Sequence, residues 1–216
     1  MILHTAPQGS PEWQQARAGC ITGSMFATAR ERLKVGPNKG DYTAAAKDYA
    51  FRLAIERISG QPLDEGFETW AMKRGHELEP AARAEHEVAI GVLVQPVGFV
   101  TTDDGKFGAS ADGFIGTDGG AEYKCLVSPE RLRSVILTGD LSEFTDQMQG
   151  GMWITGRKWW DFGLYCPALA PIGRQFTHYR MMRDDNYIDA LELDLIAFER
   201  LVSENEAALR NFKEAA

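Results

Sequence analysis

SADGFIGTDGGAEYKC, Ser110 to Cys125, reads as two apolar segments joined by the turn GTDGG. Gly and Asp between apolar runs are the composition of a β-hairpin. Successive side chains on a strand leave on opposite faces, so Glu122 and Lys124 share one face and Tyr123 points away. The hairpin brings Asp112 from the neighbouring segment to meet Glu122. Two carboxylates held close together repel each other and resist ionising. A hard divalent cation removes that penalty by binding both through oxygen, and the Tyr123 carbonyl would give a further oxygen. Lys124 would lower the pKa of an activated water or stabilise charge growing on a phosphate. A surface strand with an ordinary Glu–Lys pair would carry the same letters, and Asp118 reads as a turn residue. The flanks favour chemistry. Ala109, Ala111, Phe114, Ile115, Ala121 and Cys125 set these charges at the edge of a core, where a charge needs a partner or a metal.

Outward from this hairpin, helical and strand periods alternate. GSPEWQQARAGCITGSMFATARERL suggests two short helices separated by a turn at Gly19, with Ser24 near the start of the second, where backbone N–H groups favour an anion. KVGPNKGDY is a loop by its Gly, Pro and Asn content. TAAAKDYAFRLAIERISG has helical spacing and stops at Gly60, and ETWAMKRGHELEPAARAEHEVAIG is a helix weakened at Gly75 and Pro80. LVQPVGFVTT, FGASADGFIG, AEYKCLV, KWWDFGLYC and RQFTHYRMM read as strands. SPERLRSVILTG opens a helix with Ser128 as N-cap and Pro129 at its first position. SEFTDQMQGGMWITG is helical despite Gly150 and Gly151, and a long amphipathic helix covers about 185–214. The expected fold is α/β (α+β), one domain over residues 1–216, with a central mixed sheet flanked by helices.

With 216 residues, 44% hydrophobic and 10% aromatic, the chain can bury a sizeable core. VAIGVLVQPVGFV is interrupted by Gln95 and Pro96 and falls short of the roughly 20 apolar residues of a membrane span. No signal peptide is expected in MILHTAPQGSPEW. Three cysteines, Cys20, Cys125 and Cys166, lack CxxC spacing and read as free thiols of a reducing cytoplasm. A net charge of −8 argues against a protein that coats nucleic acid, though not against an enzyme that grips it locally. Basic residues gather at 30–39, 131–133, 157–158 and 174–183. His4, His76, His86 and His178 have no zinc spacing, and GPNKGD is not a P-loop. Trp153, Trp159 and Trp160 read as core aromatics.

At this point four blocks resemble a known family. SADGFIG…AEYKC resembles the D-(x)n-E-x-K signature of the restriction-endonuclease-like, PD-(D/E)xK nucleases. EWQQARAGCITGSMF is similar to the N-terminal block of the phage lambda exonuclease family, the YqaJ-like viral recombinases, with Trp13, Arg17, Gly19, Ile21, Thr22 and Ser24 matching. RGHELEPAAR matches that family's G-x-x-x-E block, and DQMQGGMWITGRKWWDF its Gln-bearing helix and the strand that follows. The resemblance runs from about Pro11 to Met182 in the family's order.

The resemblance implies a restriction-endonuclease-like core and a 5′→3′ exonuclease that degrades one strand of linear double-stranded DNA from 5′-phosphorylated ends. Asp112, Glu122 and the Tyr123 carbonyl would hold Mg²⁺, or Mn²⁺ in its place, and Glu79 would help bind a second ion, with Glu77 as its alternative. Lys124 would orient or activate the attacking water. Gln149, in Q-x-x-x-W with Trp153, would support the site ahead of Gln147. Arg17, whose planar fork suits phosphate, would form the 5′-phosphate pocket with Ser24 and Ser110. The resemblance further implies a ring-shaped homotrimer and a single-strand annealing partner, in the cytoplasm of a phage's bacterial host; no membrane partner is expected, since no apolar run is long enough to span. An endonuclease of the same superfamily and a non-catalytic DNA-binding phage protein are the competing readings. Tyr123 stands where relatives often carry an aliphatic residue, and RLKVGPNKGDY is hard to align.

Overall fold

The structure, a computed structural model, describes residues 1–63 and 69–212. Glu68, where the reading of the second long helix began, and residues 213–214 of the expected C-terminal helix lie outside the described residues. The strands are β1 (Ile2–His4), β2 (Ile21–Thr22), β3 (Phe99–Thr101), β4 (Phe107–Ser110), β5 (Gly113–Ile115), β6 (Gly119–Lys124), β7 (Trp159–Tyr165) and β8 (Phe176–Met182). The helices are α1 (Pro11–Arg17), α2 (Phe26–Ala29), α3 (Ala44–Ser59), α4 (Trp70–Ile90), α5 (Pro129–Arg133), α6 (Thr145–Thr155) and α7 (Asp185–Arg210). They form two compact units, one holding β1–β4, α1–α3 and α7, the other α4–α6 and β5–β8. Each unit has its own mixed four-stranded sheet flanked by helices, a mixed α/β architecture.

In the first unit the sheet order is β1-β3-β4-β2, with β2 and β4 parallel and the other pairs antiparallel. Ser10 accepts the Trp13 amide and Pro11 occupies the first turn of α1, which together fix its start. The second short helix does not begin directly after Gly19. The β-branched pair Ile21–Thr22 is drawn into the sheet against Phe107 and Gly108, a 3₁₀ turn over Gly23–Met25 follows, and α2 is a single turn. Helix α7 buries Ile188, Leu191, Leu195, Phe198 and Val202, a single stripe at helical spacing. It packs on α3, where Phe198 stacks on Tyr49 at 5.6 Å.

In the second unit the order is β5-β6-β7-β8. β6 and β7 are parallel and therefore need a crossover, which α5 and α6 supply. FGASADGFIG, expected as one strand, is two: β4 ends at Ser110 and β5 starts at Gly113, in different sheets. The hairpin through GTDGG is present, with Gly113 opposite Ala121 and Ile115 opposite Gly119. Helix α4 runs unbroken through Gly75 and Pro80. Pro80 forfeits one backbone hydrogen bond, but His76, Glu77 and Pro80 are all exposed, so water can satisfy the freed carbonyl. No described helix is long and apolar enough to cross a membrane.

The glycines inside α6 and β6 have a packing cause. Trp160 on β7, 2% exposed, is wedged between them. A Cβ built on Gly151 would come within 2.8 Å of its indole, and one on Gly120 within 2.3 Å. Close indole packing against bare backbone thus overrides the poor helix propensity of glycine. Gly151→Ala, although it inserts a better helix former, is expected to destabilise the protein by about 1–3 kcal/mol in urea unfolding. Unchanged or increased stability would contradict the wedge.

Candidate active site

Strand β6 carries core on one face and charge on the other. Ala121 and Tyr123 pack with Ala82, Val94 and Ile115. Glu122 and Lys124 point the opposite way, as strand alternation requires. Glu122 is buried, 4% exposed. Its Oε1 accepts from Lys124 Nζ at 2.7 Å and from Gln147 Nε2 at 2.7 Å. Lys124 also donates to Gln147 Oε1 at 3.2 Å, closing a three-membered ring of hydrogen bonds.

Asp112 sits at the break between β4 and β5. Its N–H continues the ladder to the Ala121 carbonyl at 3.0 Å, and its Oδ2 accepts the Tyr123 N–H at 2.5 Å. An extended residue sends its N–H and C=O toward the same side, so the Tyr123 carbonyl leaves β6 toward the edge where Asp112 lies. Arg83 on α4 joins the remaining acid to this edge: its guanidinium donates to Glu79 Oε1 at 2.5 Å and to the Asp112 carbonyl at 3.0 Å.

The electrostatics report crowding. Burial pushes the Asp112 carboxyl well above the usual range, and the charges of Glu122 and Glu79 push it further. Burial likewise raises Glu79 and Glu122 adds to it, while Arg83 opposes. Burial works against the Lys124 ammonium, but Glu122 and Asp112 outweigh it and the pKa rises. Among the described residues, no three His, Cys, Asp or Glu side chains already converge as a ligand set. Glu122 is engaged by Lys124 and Gln147, and Glu79 by Arg83, so ligation would require these carboxylates to turn. The donor chemistry nevertheless fits a hard divalent cation: carboxylate oxygens and a backbone carbonyl, carrying mutual repulsion that such an ion would relieve.

The structure therefore brings Asp112, Glu122, Lys124 and Glu79 into one electrostatic cluster. It does not put Gln149 there in the role the sequence suggested. The Gln149 amide is buried and donates to the Met182 carbonyl at 2.9 Å, and Gln147 is the one bonded to Glu122 and Lys124. Two positions apart on a helix means about 200° of rotation, so only one of the pair can face β6. Glu77 is exposed. Arg83 was missed, although its place one turn after Glu79 was a usable signal.

The candidate phosphate residues lie in the other unit. The Arg17 guanidinium stacks 4.0 Å over the Trp13 ring, whose Nε1–H donates to Ser110 Oγ at 3.1 Å. Trp13 thus links Arg17 to Ser110, while Ser24 is exposed on the 3₁₀ turn after β2. The turn at Gly19, φ +72°, anchors the end of α1: its N–H donates to Glu56 at 2.8 Å and its carbonyl accepts from Arg57 at 2.8 Å. Arg57 is itself held by a two-pronged bond to Glu199.

Comparison with known proteins agrees with this architecture. Residues 12–158 match the YqaJ-like viral recombinase domain. The chain is similar to the crystal structure of an alkaline exonuclease, LHK-Exo, from Laribacter hongkongensis, with 32% identity over 93% of this chain and 97% of that one, at a TM-score of 0.77. The structure of LHK-Exo in complex with dAMP aligns over the same shares at a TM-score of 0.79. A phage related exonuclease from Haemophilus somnus 129PT shares the fold at 17% identity, TM-score 0.67, over 88% of this chain and 96% of that one. No curated protein sequence matched. The chain belongs to the YqaJ-like viral recombinase family and is a nuclease of the lambda exonuclease type.

Proposed function

We propose that this nuclease is a divalent-metal-dependent 5′→3′ exonuclease that degrades one strand of linear double-stranded DNA and leaves 3′ single strands for recombination by annealing. The observation that carries the reading is the pairing of Glu122 with Lys124 on β6 next to Asp112, which bonds the Tyr123 N–H, with Glu79 repelling both acids. Asp112, Glu122 and the Tyr123 carbonyl are the residues to hold Mg²⁺ or Mn²⁺, with Glu79 toward a second ion; when bound, such ions neutralise charge and polarise phosphate oxygens. The LHK-Exo structure with dAMP contains a deoxynucleoside monophosphate, the unit that stepwise hydrolysis of DNA releases.

The chain's own groups divide the work. Lys124, held by Glu122 and Gln147, offers a fixed ammonium to charge growing on the scissile phosphate. Gln147, rather than Gln149, supports the site, because it fixes Glu122 and Lys124 together. Arg17, over the Trp13 ring, would supply the planar fork for bidentate contact with a terminal 5′-phosphate, with Ser110 and Ser24 as hydroxyl donors. Such a pocket selects polarity, since only one strand at an end offers a 5′-phosphate.

A ring of three copies reconciles DNA binding with a net charge of −8. Members of the basic clusters are already paired: Arg131 with Glu143 and Lys158 with Asp118 on the surface, and Arg180 with the buried Asp161. Charge attraction alone is therefore weak, and topological enclosure would keep the enzyme on its substrate. A single-strand annealing protein is the partner for the 3′ strand, in the cytoplasm of a bacterial host.

Strand-specific end labels on a linear duplex test the reading, with Mg²⁺ or with chelator. Loss of the 5′ label first, only with the metal, and intact closed circles are expected; loss from the 3′ end or nicked circles would overturn it. Glu122→Ala and Lys124→Ala should each lower the rate by about a hundredfold or more, measured as nucleotide release. Arg17→Ala should selectively erase the preference for 5′-phosphorylated over 5′-hydroxyl ends; equal loss on both would reject the pocket.

The raised Asp112 and Glu79 set a pH dependence. A cation binds the ionised carboxylates and expels their protons, so metal affinity should climb as pH rises through the raised range. Stability of the ion-free protein runs the other way. Between the ordinary carboxylate pKa and the raised one the native state holds more protons than the unfolded chain, so stability falls with rising pH. Asp112→Asn should therefore stabilise the ion-free protein by about 1–2 kcal/mol near pH 8 and by less near pH 4, read from urea unfolding. An equal or larger gain at the acid end would refute the assignment.

A further inference from the structure

We propose that His86 is a positioning residue for the metal-dependent site: it ties α4 to β6 and β7 through Tyr123 and Asp161, and so fixes the strand that carries Glu122 and Lys124. This rests on the reading of that site given above. His86 is fully buried, 0% exposed, with Nδ1 2.9 Å from the Tyr123 hydroxyl and Nε2 3.2 Å from Asp161 Oδ2. Asp161 is also 0% exposed, and Arg180 on β8 grips it with two bonds of 2.7 and 2.9 Å. The Arg180 guanidinium in turn lies 3.6 Å over the Trp159 ring. Four elements, α4, β6, β7 and β8, thus meet through one chain of polar contacts.

The chemistry assigns each proton. Burial works to raise the Asp161 pKa, but the Arg180 bonds and His86 outweigh it, so Asp161 stays a carboxylate and only accepts. Nε2 of His86 then carries the hydrogen. Burial raises the Tyr123 phenol, which keeps its O–H within hydrogen-bond distance of Nδ1. Every group in the chain has a partner, so the buried network is satisfied.

An apolar side chain at 86 would fill the same space, so a polar network needs another use. Tyr123 lies between Glu122 and Lys124, gives its N–H to Asp112, and turns its carbonyl to the same edge. Pinning its hydroxyl on one face of β6 fixes Glu122 and Lys124 on the other and the Tyr123 N–H and carbonyl along the edge. The ring has little freedom of its own: Gly163 lies opposite, and a Cβ there would stand 2.7 Å from Tyr123 Cδ1. A one-residue slip of β6 would exchange the faces of Glu122, Tyr123 and Lys124, and a buried hydrogen-bonded hydroxyl forbids that slip. On α4, Glu79, Arg83 and His86 fall at i, i+4 and i+7, a single stripe. The same imidazole therefore sets the helix that supplies Glu79.

Calorimetric titration of Mn²⁺ without DNA, alongside steady-state kinetics, tests the role. Tyr123→Phe and His86→Leu should weaken Mn²⁺ binding and lower kcat by about tenfold each, with KM for DNA ends unchanged. His86→Gln, whose amide can donate to Asp161 and accept from Tyr123, should recover most of the loss. Nitrogen NMR of the native ring should show hydrogen on Nε2. Asp112→Ala is the control and should abolish Mn²⁺ uptake. Normal Mn²⁺ binding in Tyr123→Phe, with that control intact, would overturn the positioning role even if His86→Leu failed to fold. Uptake that survives Asp112→Ala would overturn the metal reading beneath it.

Discussion

Asp112, Glu122 and Glu79 repel one another at one edge of β6, and the nearby cations Lys124 and Arg83 only partly offset them. Such an arrangement costs free energy wherever it is built, because buried like charges resist ionising together. It persists only where the surrounding fold is over-determined. The second unit supplies that rigidity. β6 is paired on both sides, antiparallel to β5 and parallel to β7. Trp160 locks α6 against the sheet through the bare backbone at Gly120 and Gly151, and α4 is drawn in by Arg83 and His86. Apolar packing thus holds in place a set of charges that would separate on its own.

The two faces of β6 show how one strand serves both purposes. Its core face, Ala121 and Tyr123, joins Ala82, Val94 and Ile115 in an apolar cluster. Its other face presents Glu122 and Lys124 to Gln147 on α6. The first unit solves a separate problem by similar means. The Gly19 turn is clamped by Glu56 and Arg57, and α1 presents Arg17 and Trp13 from that anchored base.

What could be read in the letters was what local periodicity controls. Alternation along AEYKC put Glu122 and Lys124 on one face, and the GTDGG turn set the hairpin register. Long helices with clear caps, α3 and α7, also declared themselves. What escaped depended on partners distant in sequence. β1 and β2 are too short to show a period and exist because β3 and β4 pair with them. The break between Ser110 and Gly113 gave no sequence signal, because it depends on β4 and β5 pairing in different sheets. Gln147 and Gln149 are alike in composition and spacing to apolar neighbours; only the rotation of α6 against β6 separates them. His86 and Asp161, 75 residues apart, gave no sequence signal of their contact.

The repulsion among these carboxylates has meaning only if a cation resolves it. Anomalous diffraction from crystals grown with Mn²⁺ would locate that cation. A strong peak within ligand distance of Asp112, Glu122 and the Tyr123 carbonyl is expected, with Glu122 released from at least one of its present bonds. Crystals without a peak there, or with Mn²⁺ bound only elsewhere while the enzyme remains active, would contradict the metal-dependent mechanism.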